Sequence, residues 1–533
     1  MLHAIRFSKQ RAYGSVLLRV TVVLIAALSI APIIYLMIRA AETGADFWVL
    51  LTRPRTLRVF NNSLLLTALV TASSTFVGST LAWLTMRTDL PGRRIWAALT
   101  CLPLVLPSYV GAFALLAALG PKGMLQSLLV PLGVDRLPSI YGLPGAWLAL
   151  TLFTYPYVQL SVRAGLRGLD PALEDAARCL GLRRAQVFRQ IVLPHLRPAI
   201  GAGALLVALY TLSDFGAVSL LQFNVFTREI YIQYSATLDR SAAAVLAIKL
   251  VVLTGMIILI EGWTRSHCPQ YRAGTGTARK HHPVPLGAWR YPAILLCTLV
   301  TLLGLGIPIL VTSFWLFRGL QASSAIGAQT RLLWNSVSVS ALAALSCTLA
   351  ALPVVIQSVR HPGRLSRTAE RAAYAGHALP GIVVALALVF FGARYAPYLY
   401  QSRAMLVVAY TILFLPLALG ALRTAMLKIN PRTEEAARTL GRAPPNVLRS
   451  VTMPQLRPGL LTGMALVFLT CMKELPATLL LGPTGFETLA TRIWSATEEA
   501  FFAMAAAPAL ILMLAAAISL WIILQHEQDQ VTT

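Results

Sequence analysis

Charge is scarce in this chain, and acid is scarcer than base. Of 533 residues only 12% are charged, and 45 Lys and Arg stand against 20 Asp and Glu, a net charge of +25. A soluble domain carries about 25% charge, so a globule covered by water is excluded. Cysteine is sparse and scattered: Cys101, Cys179, Cys268, Cys297, Cys347 and Cys471, with no C-x-x-C pair. That excludes a disulfide framework and a cysteine metal cage. No Gly-Lys dipeptide occurs, so there is no phosphate-cradling Walker A loop, which needs Gly-Lys before Ser or Thr. No His, Asp and Glu cluster has metal-ligand spacing, and no long polar insertion forms a soluble domain. A membrane enzyme or receptor is therefore disfavoured; no catalytic residue, no resident cofactor and no tightly bound metal is assigned.

What the chain has is apolar sequence: 57% hydrophobic residues and a mean hydropathy of +0.70. A span needs roughly 20 mostly apolar residues. Twelve segments qualify, at about 17–39, 63–86, 96–119, 140–164, 198–222, 242–263, 290–317, 333–357, 372–393, 404–424, 458–482 and 502–525. The fourth and ninth are interrupted by Gly, Pro or Tyr. Arg6, Lys9, Arg11 and Arg19 precede an apolar run from Val20 to Ile38. That run exceeds the roughly 7–15 residues of a signal-peptide core, so it is expected to be an uncleaved first span. The fold class expected is an all-α polytopic membrane protein.

The basic residues lie between apolar segments and form no single basic domain, which argues against nucleic acid. Even-numbered loops are the basic ones, for instance Arg167, Arg178, Arg183, Arg184 and Arg189 in the fourth and Lys428, Arg432, Arg438, Arg442 and Arg449 in the tenth. Excess Lys and Arg marks cytoplasmic loops. Both termini are therefore expected in the cytoplasm. The first loop, with Arg53, Arg55 and Arg58, is an exception. Residues 264–289, with Gly274, Gly276, Pro283 and Pro285, read as a flexible cytoplasmic linker. His267, His281 and His282 within it do not make a closed metal-ligand set.

An internal repeat decides the architecture. Asp170-Pro171-Ala172-Leu173-Glu174-Asp175-Ala176-Ala177-Arg178-Cys179-Leu180-Gly181 recurs 260 residues later as Asn430-Pro431-Arg432-Thr433-Glu434-Glu435-Ala436-Ala437-Arg438-Thr439-Leu440-Gly441. Pro194-His195-Leu196-Arg197-Pro198 recurs as Pro454-Gln455-Leu456-Arg457-Pro458 at the same offset. Asn62-Ser63 matches Asn335-Ser336, and Pro107 matches Pro380, at an offset of 273. The change of offset marks a 13-residue insertion in the third loop of the first half. The halves expected are 1–263 and 290–533, joined by the 264–289 linker. Six spans each make them parallel, so both repeated loops face one side. In each loop an Asp or Asn N-cap precedes Pro at the first helical position. Acids follow in the first turn, where the helix dipole favours them. Such a short helix can lie in a groove of a partner and move as a rigid body.

These residues resemble the coupling signature of bacterial ABC importer permeases: Glu-Ala-Ala, three residues, Gly, nine residues, Ile, one residue, Leu-Pro. The second half reads Glu435-Ala436-Ala437, Gly441, Val451, Met453-Pro454; the first reads Asp175-Ala176-Ala177, Gly181, Ile191, Leu193-Pro194. The resemblance covers almost the whole chain and implies a type I permease fold with two fused halves. It implies loops 170–195 and 430–455 docking on two copies of a cytoplasmic ATPase that binds ATP and Mg. It also implies a periplasmic or extracellular substrate-binding protein, and a place in the bacterial inner membrane. Contact residues so implied are Glu174, Asp175, Ala176, Ala177, Gly181 and Pro194, with Glu434, Glu435, Ala436, Ala437, Gly441 and Pro454.

Among such permeases the chain is similar to those for ferric iron and, more distantly, for thiamine. The stretches that carry this are Tyr210 to Gly216, Thr227 to Tyr234 and Lys473 to Thr478. Asp214 and Glu474 fall at matching places in the fifth and eleventh segments, and acids inside spans are functional candidates by default. A pair of them on the pathway suits a hard cation that prefers oxygen ligands. The alternative is a local role: Asp214 hydrogen-bonded nearby, Glu474 beside Lys473. Thiamine, phosphonate or polyamine are the alternative substrates. A twelve-span secondary transporter is a remote rival, since it does not predict the repeated loop.

Overall fold

A computed structural model describes residues 2–42, 44, 46–121, 123–133, 136–237, 239–266, 283–321, 329–376 and 379–532. Among them the chain is helical almost throughout, no strand forms, and one pairing of extended residues joins Thr88 to Val284. Nine helical stretches of the described residues are long and apolar enough to cross a membrane. Leu143–Arg167, of 25 residues, and the shorter apolar helices Gly381–Tyr395 and Phe502–Ala517 complete one helix for each expected segment.

Four segments are divided helices, the ninth at the interruption read in its sequence and the third, fifth and eleventh where continuous helices were expected. The third divides into Arg93–Leu99, a tight turn Leu102–Val105 and Ser108–Leu119; the ninth divides into Arg364–Ala375 and Gly381–Tyr395. Proline causes both breaks: Pro103 and Pro107 in one, Pro380 in the other. Proline offers no backbone donor and pushes the residue before it out of helical geometry. The fifth helix, Leu193–Ser213, stops at Asp214 and resumes as Gly216–Leu220; the eleventh, Met453–Met472, resumes as Pro476–Leu481. The fourth segment, by contrast, is one continuous helix with Pro156 inside it.

The chain forms two compact units. One holds residues 1–47, 325–495 and 511–533; the other holds 48–324 and 496–510. Each unit therefore combines one repeat with the first helix of the other. In the unit holding 325–495, Tyr35 of the first helix stacks edge-on against Phe391 at 5.8 Å and Tyr395 at 6.2 Å. In the unit holding 48–324, Trp315 meets Phe502 at 5.5 Å, and Phe502 meets Phe113 at 5.7 Å.

Each unit centres on a helix that follows a proline break. Every residue from Ser108 to Ala118 is buried, as is every residue from Ile382 to Phe390. A helix apolar on all sides has no face for water and belongs inside. In the first half its neighbour Leu143–Arg167 is approached closely by the second helix: a Cβ on Gly78 would stand 2.6 Å from the Tyr155 carbonyl. Small residues permit such backbone contact between spans.

Residues 283–289 depart from the flexible linker expected. Val284 donates to the Arg87 carbonyl at 2.8 Å and accepts from the Asp89 amide at 3.2 Å, and the Leu286 amide reaches Asp89 Oδ1 at 2.8 Å. His267, His281 and His282 lie outside the described residues.

Candidate functional site: the duplicated loops and the helix breaks

The two repeated loops fold alike, and the reason can be followed residue by residue. Asp170 and Asn430 cap the helices Pro171–Cys179 and Pro431–Thr439, accepting from the Ala172 amide at 2.9 Å and the Arg432 amide at 3.0 Å. Gly181 and Gly441 end them at φ +85° and +83°. Their amides bond Arg178 and Arg438, and the next amides, of Leu182 and Arg442, reach back to Ala177 and Ala437. This is the left-handed helix ending that favours glycine. The glycine of the signature is thus required by backbone geometry.

The acids divide into two kinds. Glu174 and Glu434 are buried, whereas Asp175 and Glu435 are exposed. Arg87 Nη2 lies 2.8 Å from Glu174 Oε1, with both side chains at most 10% exposed. Arg360 Nη2 lies 3.1 Å from Glu434 Oε1 and also donates to the Ile429 carbonyl at 3.2 Å; Thr452 Oγ1 donates to the same carboxylate at 3.0 Å. Arg87 and Arg360 end the second helix of each half, Pro54–Arg87 and Gln329–Arg360. They were not among the residues expected here, yet they are 273 apart in sequence, and that spacing is the signal that finds them. Asp175 points outward, its side chain 62% exposed, with Arg178 3.5 Å away.

Ala177 and Ala437 are buried beneath the short helices, while Ala176 and Ala436 are exposed beside the outer acids. Leu180 and Leu440 are 84% and 83% exposed, the most exposed large apolar side chains described in the two loops. Both loops then pass through a wide helical turn, Phe188–Val192 and Leu448–Thr452, into helices that open on Leu193-Pro194 and Met453-Pro454. Pro194 and Pro454 explain the wide turn: each lacks an amide hydrogen and its ring displaces the carbonyl four residues earlier.

At the other end of the same second helices a matched clamp appears. Asn62 Nδ2 donates to the Asn224 carbonyl at 3.0 Å and Ser63 Oγ accepts from the Phe226 amide at 3.1 Å. Asn335 and Ser336 do the same for Glu487 and Leu489, at 2.9 and 2.8 Å. The helix so held in the first half, Phe226–Ser235, carries Glu229, whose buried carboxylate meets Arg55 at 2.7 Å.

Asp214 and Glu474 sit in the two helix breaks. Asp214 caps Gly216–Leu220 through the Ala217 and Val218 amides, at 3.0 and 3.3 Å, and accepts from Ser108 Oγ. Its own carbonyl accepts from Thr227 Oγ1 at 2.6 Å, which joins two of the stretches singled out in sequence. Glu474 Oε1 accepts from the Ala477 amide at 3.3 Å. The tyrosines nearby pack and bond: Tyr155 donates to the Thr100 carbonyl at 2.6 Å, and Tyr410 pairs with Thr478 at 2.5 Å. Lys249 donates to the Leu51 carbonyl at 3.1 Å and lies over the Phe60 ring.

Comparison with known proteins agrees with this duplicated geometry. The family pattern for the binding-protein-dependent transport system inner membrane component matches twice, over residues 74–263 and 344–529. An Fe(3+)-transport system permease protein of Haemophilus influenzae is 33% identical over 93% of this chain and 95% of its own length. A putative ferric transport system permease protein of the same organism is 23% identical over 81% of this chain and 71% of its own length. A molybdenum transport system permease protein of Escherichia coli is 32% identical over 38% of this chain and 90% of its own length. Two matched loops on two repeats, in a chain of membrane-crossing helices, are accounted for together: the chain belongs to the inner membrane components of binding-protein-dependent ABC transport systems, as a permease with both halves in one polypeptide.

Proposed function

We propose that this chain carries ferric iron inward across a bacterial inner membrane, driven by ATP hydrolysed on two copies of a separate cytoplasmic subunit. Each copy grips one loop, 170–195 or 430–455, and both termini face the cytoplasm. A soluble binding protein delivers the cargo from outside. Closure of the ATPase pair switches the permease between inward- and outward-facing states.

One observation carries the coupling part of this reading: two loops alike in caps, glycine φ, buried clamp and exposed tip. A twofold partner needs two equal handles. Asp175 and Glu435, with Ala176, Ala436, Gly181 and Gly441, offer it a small, acid-edged surface. Leu180 and Leu440 add an apolar tip to each. A large apolar side chain left in water forgoes about 1.5–3 kcal/mol, and a cleft on the partner recovers it. For the cargo, the support is the whole-length likeness to a permease named for Fe(3+) transport. Oxygen from an acid at a helix break, Asp214 or Glu474, is the kind of donor a hard cation requires.

The test is uptake of radiolabelled Fe3+ into proteoliposomes holding this chain, its ATPase and its binding protein. Saturable uptake that needs ATP and binding protein supports the reading. An active ATPase with no iron uptake moves the cargo elsewhere and leaves the permease role intact. Gly181→Asp with Gly441→Asp should abolish ATPase binding while the protein still inserts, and normal uptake by that variant removes the loops from the mechanism.

A further inference from the structure

The acids at the two helix breaks occupy matched positions, but their surroundings differ by an exchange of size. In the first half Pro107 is followed by Ser108, whose hydroxyl donates to Asp214 Oδ2, while the Ala217 and Val218 amides hold Oδ1. Both carboxylate oxygens are engaged, and the residue is 7% exposed. In the second half Pro380 is followed by Gly381, and the acid is longer by one methylene. A Cβ on Gly381 would stand 2.6 Å from Glu474 Oε1. The carboxylate therefore fills the place that the serine side chain takes in the first half. Among the described residues Glu474 is held through Oε1, by one amide at 3.3 Å, and it is partly exposed.

A buried carboxylate with both oxygens bonded, and three of its roughly four lone-pair sites used, is a structural cap. A partly exposed acid at span depth, held by one long bond, keeps oxygen lone pairs for a ligand. We propose that Glu474, and not Asp214, is the acid that meets a cationic cargo, with Gly381 as the residue that positions it. This rests on the reading of the cargo as a hard cation. Lys473 stands where the first half has Ser213, so at the second break a formal cation is the acid's neighbour in sequence. A site of that composition meets a cation without holding it permanently, as an importer requires.

The test exchanges the couples between halves. Gly381→Ser with Glu474→Asp recreates the Ser–Asp cap of the first half. It should leave yield, thermal stability and ATPase binding unchanged and cut Fe3+ uptake about tenfold or more. Ser108→Gly with Asp214→Glu should leave uptake within about twofold. Gly381→Ser alone should displace the Glu474 carboxylate and lower uptake as the double exchange does. Normal uptake by the second-half exchange, or lost uptake by a well-folded first-half exchange, overturns the assignment. A wild-type complex that takes up no iron sinks the cation reading instead. The roles of the acids are then decided by thiol labelling, in a background without other cysteines: Glu474→Cys should react with a charged, water-soluble reagent and Asp214→Cys should not. Equal reactivity overturns the division of roles.

Discussion

The two loops and the two helix breaks are both duplicated, yet they have been treated differently. The loops are kept nearly superimposable in chemistry: glycine φ of +85° and +83°, exposed leucines at 84% and 83%, a buried Arg–Glu pair in each. The breaks keep only their outline, with Ser108 and Asp214 in one and Gly381 and Glu474 in the other. Repetition is preserved where the proposed partner comes in two equal copies. It is relaxed where a single cargo passes, because one site does not need two identical walls.

The largest effect that would break this comparison is on partner binding. Leu180→Asn with Leu440→Asn should weaken association with the ATPase roughly a thousandfold, at about 2 kcal/mol for each leucine. Each single change should cost the same, about thirtyfold, as read by titration of the purified subunits. Unequal single effects would mean the two tips are not equivalent.

Next come the clamps. Removing one partner of a buried ion pair costs about 3–5 kcal/mol, because the other charge is left without its counterion. Arg87→Ala and Arg360→Ala should each lower thermal stability by that order. Arg87→Ala should be the worse, since among the described residues Glu434 keeps the Thr452 hydroxyl at 3.0 Å, whereas Glu174 keeps Arg178 at 3.5 Å. Equal melting temperatures would show that the threonine contributes nothing.

Smaller still are the outer clamps. Ser63→Ala and Ser336→Ala each remove one acceptor from a buried amide, at about 1–3 kcal/mol. The effect should appear as faster hydrogen exchange at Phe226 and Leu489. The smallest pair is Asp170→Ala against Asn430→Ala, about 1 kcal/mol each by loss of an N-cap. Exchange at Ala172 and Arg432 should rise by a similar factor.

The loops were legible in sequence because their signature is local: an N-cap, a proline, an acid and a glycine within twelve residues. The clamps were hidden because Arg87 and Arg360 look like any cytoplasmic arginine at a helix end. Their partners lie 87 and 74 residues away, beyond the reach of helical periodicity. Leu180 and Leu440 stood in the repeat but gave no sign of their exposure, since an apolar residue near a span reads as filler. Pro107 and Pro380 were matched, and the ninth segment was read as interrupted, yet the break at Pro107 was masked by apolar sequence on both sides. In a membrane protein a buried helix and a lipid-facing helix have the same composition. The exchange of first helices between compact units has no local signature at all.

Helix Pro54–Arg87 has 34 residues, a length of about 51 Å at 1.5 Å per residue. Near one end it holds Phe226–Ser235 through Asn62 and Ser63; at the other it grips the loop helix through Arg87. Gln329–Arg360 is fastened the same way at both ends. Each is therefore a connecting rod. Under the proposed coupling, a push on the loop helix would part a buried ion pair unless the rod travels and carries its far attachment with it.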